Sequence, residues 1–82
     1  MPKLRVMSGS DVVKIIESFG FSVVGQRGSH IKLQRFINKN VKQIATVPNH
    51  KEIDKGTLKA IMQQLSQFIP EAELRKLFYT GS

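Results

Sequence analysis

The sequence contains no cysteine. Disulfides and thiolate metal sites are therefore excluded, and a reducing compartment suits the chain. No apolar run approaches the ~20 residues that span a bilayer. The amino-terminal stretch Met1 to Met7 is basic but carries no apolar core of secretory length. The expectation is a soluble, cytoplasmic protein with no membrane association. Internal repeats and low-complexity segments are missing too. From Phe21 to Lys51 there is no aspartate or glutamate at all.

That last absence shapes the charge map. The acid-free segment holds Arg27, Lys32, Arg35, Lys39, Lys42 and Lys51, whereas the rest of the chain nearly balances its cations with all six acids. Most of the net charge of +7 thus sits in one contiguous stretch. Concentrating like charge in a small domain costs self-repulsion, which a polyanion relieves. Nucleic acid is the first candidate. At 82 residues the chain has room for one domain with a thin core.

The apolar spacing then orders the chain. Residues 1–7 are expected to be extended, with Leu4 and Val6 alternating with Lys3 and Arg5. Ser8 followed by Asp11 resembles a capping box, and Val12, Ile15, Ile16 and Phe19 fall on one helical face that Gly20 ends. Phe21 to Arg27 reads as a strand with Phe21, Val23 and Gly25 on one face. Gly28-Ser29 is a turn. His30 to Ile37 alternates as a second strand. Ile31, Leu33, Arg35 and Ile37 point to the core, and His30, Lys32, Gln34 and Phe36 point away. Asn38-Lys39-Asn40 turns into a third strand, Val41 to Val47, which Pro48 stops.

A loop anchored by Ile53 leads to a second helix from about Gly56 to Ile69, with Leu58, Ile61, Met62, Leu65 and Ile69 buried. Pro70 is expected at the first position of a further short helix, with Glu71 and Glu73 in its first turn and Leu74, Leu77 and Phe78 as its apolar side. Thr80-Gly81-Ser82 is expected to fray. The fold class is α+β: a helix, a three-stranded antiparallel meander and a second helix in two layers, one sheet face left open. Residues 1–69 form the main domain, and 70–82 form a helical extension. That extension covers a core edge, binds a partner or mediates self-association.

Strand register brings candidate residues together. A hairpin turning near Lys39 pairs positions that sum to 78 or 79, so His30 lies opposite Pro48 or Asn49. Arg27, Ser29, His30, His50 and Lys51 then gather at one end of the sheet. Histidine exchanges protons near neutral pH, and neighbouring cations stabilise charge developing on phosphoryl oxygens. Such a site suits acid–base cleavage of RNA, whose 2′-hydroxyl is an internal nucleophile, so the chemistry needs no metal or cofactor. His30 is the main candidate, His50 is a candidate second acid or base, and Lys55 and Lys59 extend a phosphate track along the second helix.

Other patterns fail. The two histidines with Glu52 and Asp54 lack the spacing of a metal site. Gly25 and Gly28 lack the rest of a phosphate loop. Ser29 and His30, adjacent at a strand, do not face each other. Phe36 on the open face is positioned to stack a base.

The runs Ser8-Gly9-Ser10-Asp11-Val12-Val13, Phe19-Gly20-Phe21 and Gln26-Arg27-Gly28-Ser29-His30 resemble the HicA (YcfA-like) toxin family. Thr46-Val47-Pro48-Asn49-His50 and Lys55-Gly56-Thr57-Leu58-Lys59-Ala60-Ile61 extend the resemblance over about residues 4–66. It implies a double-stranded-RNA-binding-like fold. It implies an mRNA interferase, an endoribonuclease toxin of a type II toxin–antitoxin pair, inhibited by a HicB-like antitoxin. It also implies that His30, in Gly-Ser-His, is catalytic. Two departures stand out: Ile31 occupies a position often polar or histidine, and 68–82 run past the usual end. A non-catalytic RNA-binding module of the same fold and a retired toxin remain alternatives, and oligomeric state is left open.

Overall fold

The computed structural model describes residues 2–81; expectations for Met1 and Ser82 lie outside the described residues. The first helix, α1 (Gly9–Ser18), begins where the capping pattern predicts. The Asp11 N–H donates to Ser8 Oγ at 3.1 Å, and the Ser8 N–H donates to Asp11 Oδ2 at 3.0 Å. These two bonds satisfy donors that a helix start leaves open. The Ser8 backbone N–H first, and the Ser8 hydroxyl second, hold the Asp11 carboxyl below the usual aspartate range. Val12 and Ile16 are fully buried, while Ile15 and Phe19 pack at the core margin. Burial of that stripe offsets the weak helix propensity of its β-branched residues.

Strands β2 (Ser22–Arg27), β3 (His30–Asn38) and β4 (Val41–Pro48) form an antiparallel sheet in the order β2-β3-β4. Gly28 takes φ +58° in the first turn, a conformation that favours glycine. The β3–β4 register runs from His30↔Pro48 to Phe36↔Lys42 without a break, which is the pairing expected from the second turn. Ile31 and Leu33 of β3, with Ala45 and Val47 of β4, are buried under the helices. The alternate residues face outward, leaving that side of the sheet open.

Helix α2 (Lys55–Leu65) starts at Asp54, whose carboxylate accepts from the Thr57 hydroxyl at 2.7 Å and the Thr57 N–H at 3.1 Å. These bonds, the hydroxyl's first, hold the Asp54 carboxyl below its usual range. Leu58, Ile61, Met62, Leu65 and Ile69 are buried, as is Ile53 in the preceding loop. A short turn leads to α3 (Glu71–Phe78) and β5 (Tyr79–Thr80), which pairs with β1 (Lys3–Leu4). Leu74 and Phe78 are fully buried in the same core as α1, β3, β4 and α2. The α-β-β-β-α order with a small carboxy-terminal helix is therefore the architecture. Among the described residues, no helix is long and apolar enough to cross a membrane.

Several local expectations are corrected. A bulge between Val23 and Gly25 pairs Val23 with Leu33 but Gly25 with Lys32, so these two residues fall on opposite faces. A second irregularity between Phe36 and Asn38 coincides with an Ile37 that is 54% exposed rather than in the core. Helix α2 ends at Leu65, before Ile69, because the chain turns there to bring Ile69 inward. Pro70 is the N-cap of α3 rather than its first helical residue. Leu77 lies at the surface edge of α3. Thr80 is not frayed: it pairs with Lys3 in β5.

One cation of the acid-free segment is structural. Arg35 donates from Nε to Gln43 Oε1 at 2.7 Å, from Nη1 to the Phe19 carbonyl at 2.8 Å and from Nη2 to the Phe68 carbonyl at 3.3 Å. Its guanidinium also lies 4.8 Å from the Phe21 ring centroid. The side chain thus ties the end of α1, the edge of the sheet and the turn after α2 together. Arg35→Gln is expected to destabilise the fold by about 1–3 kcal/mol, since it strips partners from three part-buried acceptors. Lys32→Gln, at an exposed site, should stay within about 0.5 kcal/mol of wild type. Urea unfolding curves of the two variants check this contrast.

Candidate functional site

The open sheet face is laid out in rows by the two registers. Arg27, His30 and Pro48 form the first row, and Gly25, Lys32 and Thr46 form the second. Directly paired residues in an antiparallel sheet share a face. Arg27, His30, Lys32 and Thr46 accordingly line one shallow depression together with Gly25 and Gln26.

A second depression adjoins the first at His30 and Thr46 and runs over the β4 edge to α2. Pro48, His50, Thr57, Ala60, Ile61 and Gln64 complete its lining. His30 therefore sits where the two meet, with cations on one side and His50 on the other.

The loop carrying His50 is held from two directions. The Asn49 N–H donates to the Ser29 carbonyl at 2.5 Å, joining the loop to the β2–β3 turn. The Gly9 N–H donates to the His50 carbonyl at 2.8 Å, joining it to the start of α1. Gly9 is buried there, and a Cβ on it would overlap the Pro48 carbonyl oxygen and stand 2.9 Å from Asn49 Cα. These neighbours are backbone, so relief requires the α1 start and the His50 loop to part. Gly9→Ala is expected to cost about 1–3 kcal/mol and to shift the His50 imidazole resonances relative to those of wild type. Urea unfolding and a histidine-region NMR spectrum measure both effects.

The remaining candidates spread outward. Lys51 follows His50 in an exposed bend, and Lys55 is exposed at the first position of α2. Lys59 lines neither depression at His30. It belongs to a groove between α2 and α3, beside Glu71, Arg75 and Tyr79. Ser29 meets the site through its backbone carbonyl. Glu52 is exposed, and Asp54 is committed to Thr57.

Thr46, Thr57 and Gln64 also line the site and were not foreseen. The register that places His30 opposite Pro48 also places Thr46 opposite Lys32, so Thr46 was within reach of sequence reasoning. Thr57 and Gln64 depend on how α2 lies against β4, which no local pattern encodes.

The electrostatic setting is one-sided. Both ion pairs among the described residues lie within α3, Arg75 with Glu71 at 3.9 Å and Lys76 with Glu73 at 3.4 Å. Arg27, Lys32, Lys39, Lys42 and Lys51 take part in no ion pair among the described residues. An anion on the open face would therefore meet cations not already neutralised by the protein.

A family model described as the HicA toxin of bacterial toxin–antitoxin systems matches residues 9–66, from the start of α1 to just past the end of α2. Comparison with curated proteins and with solved structures finds no match.

Proposed function

The chain belongs to the HicA toxin family of bacterial toxin–antitoxin systems, and on that premise we propose that it is an endoribonuclease that cleaves mRNA. Residues 1–69 carry the reaction, and 70–82 are an extension whose Leu74 and Phe78 complete the same core. It acts in the cytoplasm and is restrained by a HicB-like antitoxin.

The observation that carries this reading is the position of His30, which has Arg27 and Lys32 on one side and His50 on the other. Arg27 and Lys32 hold the phosphate, with Lys51 and Lys55 extending the contact. Ser29 contributes by holding the Asn49 loop through its carbonyl, and Lys59 contacts RNA only beyond the His30 depressions. In the reaction, the RNA 2′-oxygen bonds to phosphorus as the bond to O5′ breaks. One proton leaves the 2′-hydroxyl and one is delivered to O5′. His30 performs one of these transfers, and His50 or water performs the other. The products are a 2′,3′-cyclic phosphate and a 5′-hydroxyl. The nucleophile belongs to the substrate, so the step requires no metal.

The test is incubation of the purified protein with mRNA in EDTA. The expected result is fragments ending in 2′,3′-cyclic phosphate, and a 2′-deoxy substitution at the cut site that blocks cleavage there. Continued cutting at the deoxy position would replace the internal nucleophile with water or a protein group. RNA that stays intact while bound in a salt-sensitive way would identify a non-catalytic RNA-binding module.

A further inference from the structure

We propose that the far end of the open sheet face is a base-stacking subsite for single-stranded RNA, with Phe36 as the platform and Lys42 as its phosphate contact. The proposal deepens the reading of the chain as an RNA-directed protein and rests on it. The unbroken β3–β4 register puts His30, Lys32, Gln34 and Phe36 on one face, and the irregularity comes only after Phe36. At a strand rise of about 3.3 Å per residue, Phe36 stands roughly 20 Å from His30 along β3. Phe36 is 61% exposed and stands outside the hydrophobic core. Lys42 is its direct cross-strand partner.

Charge decides what covers this face. Lys32 and Lys42 lie on it, Lys39 sits in the adjoining turn, and no carboxylate occurs between residues 21 and 51. A second copy docking through the same patch would oppose like charges. A polyanion would not. An exposed aromatic on a sheet stacks bases that are unpaired. The face thus favours a single strand over a duplex, with one base fixed at Phe36 several nucleotides from the phosphate at His30.

The experiment compares wild type with Phe36→Leu, which keeps apolar bulk and removes the π-face. The probe is a ten-nucleotide 2′-O-methyl oligoadenylate, uncleavable because its 2′-oxygens are blocked, and the same strand paired with its 2′-O-methyl complement. Phe36→Leu should bind the single strand about 5- to 150-fold more weakly. It should bind the duplex as wild type does, and Phe36→Trp should restore single-strand binding. Circular dichroism and unfolding curves establish that each variant is folded. Equal single-strand affinity in folded Phe36→Leu overturns the subsite. So does a wild-type dimer, seen by sedimentation, that Phe36→Leu dissociates. Cleavage is scored separately with unmodified RNA. A wild type that binds in this Phe36-dependent way yet never cuts defeats the enzymatic reading alone, and one that cuts without Phe36 dependence defeats the subsite alone.

Discussion

His30→Ala is expected to abolish both RNA cleavage and the growth arrest expected when the wild type is induced. A positioned acid–base group typically supplies ~10²–10⁴-fold in rate, and loss on that scale takes cleavage to background. The fold should survive. His30 is exposed, its strand pairing with Arg27 and Pro48 runs through the backbone, and its side chain forms no part of the core. The comparison therefore needs two measurements on each protein: initial cleavage rate and the urea unfolding curve. A folded His30→Ala protein that cuts at the wild-type rate would remove His30 from the mechanism. His50→Ala separates the second proton transfer. A drop as large as that of His30→Ala assigns the transfer to His50, and a small drop assigns it to water. Reading His50→Ala also requires the unfolding curve, since the loop that carries this residue is tied to Gly9 and Ser29 by its backbone.

Phe78→Ala should cost about 3–5 kcal/mol, the range for removing a buried aromatic from a core. Against a total of roughly 5–15 kcal/mol for a domain, that is enough to leave a substantial unfolded population. Phe78 is fully buried and shares one core with Ile16, Leu33, Leu58 and Leu65. Its carbonyl accepts from the Arg5 N–H at 2.8 Å, next to the β1–β5 pairing. Helix α3 therefore closes the core that α1 and α2 leave open, and holds the amino-terminal segment as it does so. The midpoint of urea unfolding measures the effect, provided the slope is unchanged. A shift of under about 1 kcal/mol would show that the segment is detachable. Leu77→Ala, at the surface of the same helix, is the matched control.

Much of the fold was legible because it is local. A capping serine with an acid three residues on, apolar residues at helical spacing, and glycine at the β2–β3 turn each act over a few positions. The meander register followed from the second turn alone, and with it the placement of His30 beside Pro48. The two bulges were not legible. Each adds a residue to one strand without a distinctive local signal, and each reverses the facing of what lies beyond it. Reading Val23 and Gly25 as sharing a face failed for that reason. Arg35 carried two meanings at once. By alternation it belonged to the core side, and by charge it belonged with the cations, and its three acceptors come from segments far apart in sequence.

By itself the sequence determined the element order, the acid-free basic stretch and the arrival of His30 and His50 near one end of the sheet. These follow from periodicity, turn chemistry and counting, which need no partner from elsewhere in the chain. Tertiary structure alone decided that α3 completes the core, that β5 pairs with β1, and that Gly9 must be glycine because the His50 loop crosses its Cα. It also separated Lys59, drawn toward α3, from the cations beside His30. Each of these depends on a contact between distant segments. Such contacts are set by how whole elements pack, and packing is a property of the assembled core rather than of any stretch of the chain.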